Sequence, residues 1–404
     1  MCRCHQSHDV RFLAYGRAYC DCGHDGCNNV SNSSIEVARS FLPISNDVRH
    51  SKDLHSSSSN LNPGYVLTCT EEEDLKVEKF NVGKVEVPNE LLVNQCKKLV
   101  SNSKDTFWLS ASDMNNPTCA LEKLAGAVFK HYTKGATFDA SRSGAEWWAQ
   151  VKDISHEESD DNCNRAIDLH YDKDEKVAEM FELGLFPQIS TVTYLNTSQL
   201  SQPTIVLNKS MSSALDDPIN EMYVSYPETS KHISFDGRFL HGAPVVPLLN
   251  SLRKSFHESP LACDSRITFL VNVWIHHIPV GVQRLPRHIG ADLALIEESF
   301  SNFDSYFSFK SSPKQKIIEI PVSGRDARRS SFKRTGEWTT IPFLSHKSTW
   351  EKTDDEDAVS LNVFIPSDFK IERYIENVDA TTFLLRYTEE NCCARLEYVS
   401  EEMN

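Results

Sequence analysis

The most restrictive feature of the sequence is a regular alternation of side chains between residues 266 and 275. Successive side chains of a β-strand point to opposite faces, so a strand here would divide them into two sets. One set is Ile267, Phe269, Val271, Val273 and Ile275, and the other is Arg266, Thr268, Leu270, Asn272 and Trp274. Shorter strand-like segments are Ala166–Tyr171, Ile189–Leu195, Thr204–Leu207, His232–Phe235, Ile317–Val322, Leu361–Ile365 and Thr382–Tyr387. We therefore predict a mainly β core.

The composition changes along the 404 residues and divides the chain into four predicted parts. Residues 1–30 form a Cys/His-rich segment, residues 31–63 a flexible linker rich in Ser and Asn, residues 64–325 the main domain, and residues 326–404 a β-rich extension. Apolar residues recur at helical spacing from Leu121 to Tyr132, which predicts a helix that packs against the sheet. The predicted fold class is mainly β with flanking helices (α+β).

Two potential metal ligands lie two residues apart in the segment Asp168-Leu169-His170-Tyr171-Asp172. His170 and Asp172 would point to the same face of a strand, and His241 follows after several intervening strands that could return the chain to the same place. Two imidazoles and one carboxylate can hold three positions of an octahedral Fe(II) ion and leave the others open. The pattern predicts an iron site.

Arg266 opens the alternating strand and belongs to its second set of side chains. An arginine that points into a core needs an anion, and a guanidinium pairs with a carboxylate through two hydrogen bonds. We predict that Arg266 binds the carboxylate of a co-substrate.

Residues from about 145 to 280 resemble the prolyl-hydroxylase-like branch of the 2-oxoglutarate/Fe(II)-dependent oxygenases. The segments that carry the resemblance are Glu146-Trp147-Trp148, His170-Tyr171-Asp172, the strand from Ser190 to Asn196, His241-Gly242-Ala243-Pro244, and the strand from Arg266 to Trp274.

This resemblance implies a double-stranded β-helix, or jelly roll, and a dioxygenase that uses Fe(II), 2-oxoglutarate and dioxygen, with ascorbate as a helper. It implies His170, Asp172 and His241 as iron ligands, Arg266 as the co-substrate anchor, and Thr191 and Tyr194 as further co-substrate contacts. In the family the basic anchor lies closer to the second histidine, which leaves Arg253 as an alternative to Arg266. The reaction expected is hydroxylation or demethylation.

The first 30 residues contain many soft ligands in a segment too short to fold by apolar burial. The predicted zinc ligands are Cys2, Cys4, His5, His8, Cys20, Cys22 and Cys27. The segment resembles the second half of a UBR box, a zinc finger that binds N-terminal degradation signals, and the first half is missing. This resemblance makes a protein or peptide one candidate for the substrate.

The charge balance of 42 basic and 57 acidic residues argues against nucleic acid and anionic membranes as partners. The sequence offers no apolar stretch long enough to cross a membrane, and its beginning lacks the apolar middle of a secretory signal. We therefore expect a cytoplasmic or nuclear protein.

Two other functions remain open on the sequence. The chain could be a non-catalytic, zinc-binding adaptor of the ubiquitin or N-degron pathway built on a degenerate barrel. It could also be a zinc-dependent hydrolase on the same barrel, although the sequence offers no placed general base for that chemistry.

Overall fold

The structure is a computed structural model of the chain. It describes residues 11–14, 17–19, 66–67, 75, 77–103, 105–153, 166–181, 183–197, 201–211, 218–246, 249, 265–294, 308–310, 317–322, 336–343, 358–366, 381–387 and 395–399. Within these ranges no helix is both long and apolar enough to span a membrane.

The described residues form twenty strands and several helices. The strands are β1 (Arg11–Ala14), β2 (Arg17–Tyr19), β3 (Val66–Leu67), β4 (Phe80–Glu86), β5 (Phe107–Ser110), β6 (Gly144–Asp153), β7 (Ile167–His170), β8 (Gly184–Leu185), β9 (Ile189–Asn196), β10 (Thr204–Ser210), β11 (Glu221–Ser225), β12 (Lys231–Asp236), β13 (Phe239–Ala243), β14 (Ser265–Trp274), β15 (Ser308–Lys310), β16 (Ile317–Val322), β17 (Gly336–Phe343), β18 (Ala358–Pro366), β19 (Thr382–Tyr387) and β20 (Arg395–Val399). The helices are α1 (Asn89–Asn102), α2 (Ala120–Tyr132), α3 (Glu175–Phe181) and α4 (Arg287–Ala294), with a short 3-10 helix at Ala111–Asp113.

Two large sheets make up the body of the protein. The nine-stranded sheet has the order β16-β19-β11-β10-β13-β7-β17-β18-β20, and the seven-stranded sheet has the order β15-β4-β12-β9-β14-β6-β5. Neighbouring strands are antiparallel except at β16–β19 and β7–β17. The central strands β11-β10-β13-β7 and β12-β9-β14-β6 form two antiparallel halves, an arrangement consistent with a jelly roll.

Apolar side chains from both sheets fill the space between them. The buried cluster contains Phe80, Val192, Tyr194, Ile233 and Phe235 from the seven-stranded sheet and Val206, Tyr223 and Leu384 from the nine-stranded sheet. The rings of Phe80 and Tyr223 stack across this space with their centroids 4.6 Å apart. The two sheets therefore share one core, which we call the inter-sheet space.

A second core lies on the other face of the seven-stranded sheet, where α1 and α2 pack. Leu92 of α1 and Val128 of α2 are fully buried there together with Phe269 of β14. The helix predicted at Leu121–Tyr132 is confirmed as α2, and the apolar stripe that predicted it is the face that packs on the sheet.

The alternation of the strand that opens with Arg266 is confirmed in β14. Ile267, Phe269, Val271 and Val273 all belong to the core beneath the helices. Leu270 instead packs against the cluster in the inter-sheet space, and Arg266 lies beside Tyr194 of that cluster. The second set of side chains therefore points into the inter-sheet space.

Strand β19 links the C-terminal part of the chain to the larger sheet. It pairs antiparallel with the whole of β11, from Thr382↔Ser225 to Arg386↔Glu221. The buried Lys231 ammonium donates to the carbonyl oxygens of Tyr226 and Thr381 at 2.8 and 3.0 Å, and to the Thr381 hydroxyl at 2.8 Å. The boundary predicted at residue 325 stays a prediction, but β19 lies in the same sheet as the core strands.

Candidate metal centre

The three predicted iron ligands meet on two neighbouring strands of the larger sheet. His170 ends β7, and Asp172 follows two residues later. His241 lies in β13, which pairs antiparallel with β7 so that His241 is directly opposite His170. The ring centroids of the two histidines are 4.5 Å apart.

The distances between the ligand atoms suit a single metal ion. Asp172 Oδ1 lies 3.7 Å from His170 Nε2, and Asp172 Oδ2 lies 3.4 Å from His241 Nε2. One ligand atom from each of the three residues can be chosen so that all lie within 4.8 Å of one another. Adjacent ligands of an octahedral ion with bonds of 2.0 to 2.2 Å lie about 3 Å apart, so small rotations of the side chains would close the site.

Backbone carbonyl groups fix which nitrogen of each imidazole faces the centre. His170 Nδ1 lies 2.7 Å from the carbonyl oxygen of Asp168, and His241 Nδ1 lies 2.9 Å from that of Phe239. Because a carbonyl oxygen only accepts hydrogen bonds, each Nδ1 carries the proton and donates it. Each Nε2 is therefore the nitrogen that can offer its lone pair to a metal, as is usual for metal-bound histidine.

The carboxylate of Asp172 is charged and held in place. Burial alone would raise the pKa of Asp172, but His241, His170 and the Ser190 hydrogen bond together hold it well below its usual range. The Ser190 hydroxyl donates to Asp172 Oδ2 at 2.8 Å. Burial opposes protonation of His241, yet the neighbouring Asp172 carboxylate raises the pKa of this histidine. The cluster thus attracts a cation.

The guanidinium of Arg266 is buried in the inter-sheet space with an incomplete set of partners. Its Nη2 donates to Thr204 Oγ1 at 3.2 Å, and its central carbon lies 5.7 Å from the centroid of the Tyr194 ring. Arg266 is 3% exposed, and its Nε and Nη1 make no hydrogen bond within the described residues. The Tyr194 hydroxyl also donates to Thr204 Oγ1, at 2.7 Å.

Thr191 lies away from this group. Its hydroxyl donates to the carbonyl oxygen of Val271 at 2.9 Å. Thr191 has the same parity along β9 as Ile189 and Leu195, which pack in the core beneath the helices. The structure thus brings Tyr194 and Arg266 together and leaves Thr191 on the opposite face of the sheet.

Glu146, Asn272 and Trp274 form a polar row beside the triad that the spacing of metal ligands in the sequence does not predict. Glu146 Oε2 accepts hydrogen bonds from Trp274 Nε1 at 2.9 Å and from Asn272 Nδ2 at 3.4 Å. Burial and the charge of Asp172 raise the pKa of Glu146 to about 7, although its hydrogen bonds oppose this shift. The alternation of β14 was a usable signal, because it places Asn272 and Trp274 on the same face as Arg266.

Aromatic side chains partly enclose the centre. The Phe235 ring lies 4.7 Å from the His241 ring, centroid to centroid. Trp274 is fully buried, and its Nε1 donates a hydrogen bond to Glu146. The Phe235 ring therefore shields His241 from water on one side.

Several predicted site residues lie outside the described part of the chain. They are the alternative anchor Arg253 and the predicted zinc ligands Cys2, Cys4, His5, His8, Cys20, Cys22 and Cys27. The zinc segment and the anchor role of Arg253 stay predictions.

Comparison with known proteins gives a limited result. No protein-family model and no curated protein matches the chain. Among solved structures, the chain is similar to a prolyl 4-hydroxylase from Phytophthora capsici, with 13% sequence identity and a TM-score of 0.25. The match covers 52% of this chain and 64% of the hydroxylase chain, so it spans less than two thirds of that protein. A match at this level assigns neither a family nor an activity.

Proposed function

We propose that the chain is an Fe(II)- and 2-oxoglutarate-dependent dioxygenase that hydroxylates or demethylates its substrate. The donor set of His170, Asp172 and His241 fits Fe(II), because two neutral imidazoles and one carboxylate leave open positions for a co-substrate and an oxidant. A metal triad alone would serve several metals and reactions. The observation that carries the proposal is the incompletely paired, buried guanidinium of Arg266 in the same inter-sheet space.

A buried cation without an anion is costly, so the position of Arg266 favours a site for an anionic ligand. Removing a guanidinium from water costs several kcal/mol unless a partner satisfies its charge and its N–H groups. The Thr204 hydroxyl supplies one acceptor, while Nε and Nη1 have no acceptor among the described residues. A carboxylate could bind one edge of the guanidinium in the bidentate arrangement typical of arginine, through Nη1 and the second N–H of Nη2.

The separation between the guanidinium and the triad suits a short dicarboxylate. Thr204 lies two residues along β10 from Val206, and Val206 pairs directly with His241. Since a strand rises by about 3.4 Å per residue, Thr204, which accepts a hydrogen bond from Arg266, lies about 7 Å along the strand from the level of His241. 2-Oxoglutarate could bind the metal through its 2-oxo acid end and Arg266 through its far carboxylate.

In this proposal the protein positions the reactants and controls protons and water. The carbonyl groups of Asp168 and Phe239 hold the two imidazoles with Nε2 towards the metal, and Ser190 holds the Asp172 carboxylate. When bound, Fe(II) supplies the activation of dioxygen that 2-oxoglutarate drives as it is converted to succinate and carbon dioxide. Phe235 shields His241 from water on one side.

The test is metal and co-substrate binding followed by turnover. We expect the protein to bind Fe(II) without oxygen present, to bind 2-oxoglutarate in a metal-dependent way, and to release succinate with ascorbate and oxygen. Asp172→Ala should abolish metal binding and succinate release. Arg266→Met should keep the metal and weaken 2-oxoglutarate binding by about 30-fold or more, because a charged hydrogen-bonded pair is lost.

Asp292→Ala is the matched control, since Asp292 is an exposed carboxylate on α4. It should bind metal and co-substrate like the wild-type protein. A wild-type protein that binds neither Fe(II) nor 2-oxoglutarate would contradict the proposal and would favour the non-catalytic adaptor.

A further inference from the structure

A row of side chains crosses the seven-stranded sheet at the level of the triad. Phe235 pairs with Ser190, Ser190 with Asn272, and Asn272 with Glu146. Phe235 contacts the His241 ring and Ser190 donates to Asp172, so this row faces the metal ligands across the inter-sheet space. Neighbouring strands are about 4.8 Å apart, which puts Asn272 about 5 Å and Glu146 about 10 Å from Ser190 along the row.

Asn272 brings an unused hydrogen-bond acceptor to this row. Its side chain is buried, with 3% of the residue exposed, and its Oδ1 has no hydrogen-bond partner within the described residues. The orientation of the amide is set by Glu146, because only the Nδ2 group can donate to that carboxylate. Leaving a buried acceptor unpaired costs about 1 to 3 kcal/mol, so a ligand that donates a hydrogen bond would relieve it.

Glu146 brings an acidic group that lacks a cation. It accepts hydrogen bonds from Trp274 and Asn272, and a further one involves Thr106. All three partners are neutral, and within the described residues no Lys, Arg or His nitrogen forms an ion pair with Glu146. Glu146 is partly buried, and carboxylates withdrawn from water are usually paired with a cation or bound to a metal.

We propose that Glu146 and Asn272 form a substrate subsite that binds a cationic nitrogen group, an ammonium or a guanidinium, beside the metal centre. This inference rests on the proposed function, because it is the metal site that gives the bound group a reaction partner. The cation would neutralise the charge of Glu146 and donate a hydrogen bond to Asn272 Oδ1. The carbon atoms attached to the nitrogen would then lie on the Ser190 side of the row, towards the triad.

The charge of the surroundings favours a cation over an anionic or neutral group. Glu146 and Asp172 both carry carboxylates on this side of the inter-sheet space, and the charge of Asp172 contributes, after burial, to the raised pKa of Glu146. A bound cation would offset the burial and the repulsion that act on Glu146. Arg266 lies at the other end of β14, six residues from Asn272.

Small probes can test this subsite without knowledge of the substrate. The protein loaded with Mn(II) is mixed with n-butylammonium, n-butylguanidinium, butyrate or n-butanol, and the relaxation of the probe protons by the metal is measured. With 2-oxoglutarate present to occupy the metal and Arg266, we expect at least one cation to bind near the metal, and neither butyrate nor butanol to do so. The cation that binds more tightly distinguishes an amine from a guanidine substrate. If butanol bound as tightly as both cations, the proposal would be overturned.

Two variants connect this binding to the row. Glu146→Gln removes the charge but keeps an acceptor for Trp274, and it should weaken cation binding by about tenfold or more. Asn272→Ala tests the same subsite if Glu146→Gln unfolds, and it should weaken binding several-fold. Glu90→Gln, an exposed glutamate of α1, should bind as the wild type does. Unchanged cation binding in a folded Glu146→Gln protein would refute the subsite.

Failure of the subsite can be told apart from failure of the proposed function. Wild-type protein that binds metal and 2-oxoglutarate but no cation would refute the subsite and leave the oxygenase proposal intact. If the protein binds no metal, calorimetry of the metal-free protein with the same four probes still decides whether Glu146 and Asn272 bind a cation.

Discussion

At the scale of single residues, the position of Asp172 depends on one hydroxyl group. Ser190 donates to Asp172 Oδ2 and lies on the opposite sheet, so it fixes the carboxylate relative to the two histidines. Hydrogen-bond partners of metal ligands often contribute 10- to 100-fold to metal affinity.

Ser190→Ala should therefore weaken Fe(II) or Mn(II) binding by at least about tenfold, without loss of fold. Anaerobic titration calorimetry measures this change. Ser110→Ala provides the control, because Ser110 ends β5 far along the sheet from the triad, and its metal affinity should not change. Equal affinities in the two variants would mean that Ser190 does not position the ligand.

His232 makes stability depend on pH at a site remote from the metal ligands. It is buried on the helix side of β12, where Nδ1 lies 2.8 Å from Thr193 Oγ1 and Nε2 lies 2.9 Å from the Tyr132 hydroxyl. Burial, with a smaller contribution from His131, lowers the pKa of His232 to about 3. The unfolded chain takes up this proton near pH 6.5, whereas the folded protein resists it, so stability is lost as the pH falls below 6.5.

When the pH is lowered from 8 to 5, His232 should reduce the unfolding free energy of the metal-free protein by about 2 kcal/mol. His232→Gln should remove that part of the pH dependence, as measured by urea unfolding at several pH values. His288→Gln, at an exposed position of α4, should keep the wild-type dependence. The same slope in all three proteins would contradict the assignment.

At the scale of elements, the close packing of β13 on β7 keeps the two histidines together. A Cβ atom on Gly242 would lie 2.7 Å from the carbonyl oxygen of Asp168 and 2.8 Å from that of Ile167. Both atoms are backbone, so the strands would have to separate. Gly242 is adjacent to His241, and the separation would move that ligand away from His170.

Gly242→Ala is expected to lower the unfolding free energy by about 1 to 3 kcal/mol and to weaken metal binding together with it. Gly83→Ala in β4 serves as the matched control, since its nearest contact would be an ordinary 3.5 Å. Thermal unfolding and metal titration of both variants provide the comparison. A Gly242→Ala protein with wild-type metal affinity would show that the spacing of β7 and β13 is not critical.

The elements that the sequence predicted are those with a strong local pattern. The alternation in β14 and the apolar stripe of α2 each appear within a dozen or so residues, so they can be read without knowledge of the rest of the fold. The pairing of β19 with β11 joins residues more than 150 positions apart, and no local pattern encodes such a partner. The same limit applies to Glu146, whose role depends on its neighbours on β14 and not on its own segment.

The candidate site was predictable where ligand spacing carries the information. His170 and Asp172 two residues apart, with a later histidine, led to a cluster that the fold brings together. Thr191 was inferred from the resemblance alone, and the parity of β9 puts it on the other face from Tyr194. The face of a strand cannot be assigned until one residue of it is anchored in the core.

At the scale of the whole molecule, the C-terminal region contributes to the main core. Strand β19 covers the edge of β11, adds Leu384 to the inter-sheet cluster, and provides Arg386 for an ion pair with Glu221 at 2.7 Å. Thr381, just before this strand, supplies two of the acceptors of the buried Lys231 ammonium. The nine-stranded sheet and the inter-sheet cluster therefore depend on residues beyond position 325.

A protein ending at residue 325 should consequently be unstable or aggregate, because it would expose the edge of β11 and leave Lys231 short of partners. Leu384→Ala in the full chain is the milder comparison and should cost about 2 to 5 kcal/mol. Solubility and thermal unfolding measure both effects. A soluble, cooperatively folded 1–325 protein would support the domain boundary predicted from the sequence.

The direct pairing of His170 with His241 also connects the metal to strand alignment. If β13 slipped by one residue along β7, every side chain of β13 would turn to the opposite face, and His241 would leave the other two ligands. A bound cation would therefore select the correct alignment, because only that alignment offers all three ligands at once. The availability of the metal during synthesis would then influence how much of the chain reaches its native pairing, as well as how much of the folded protein is occupied.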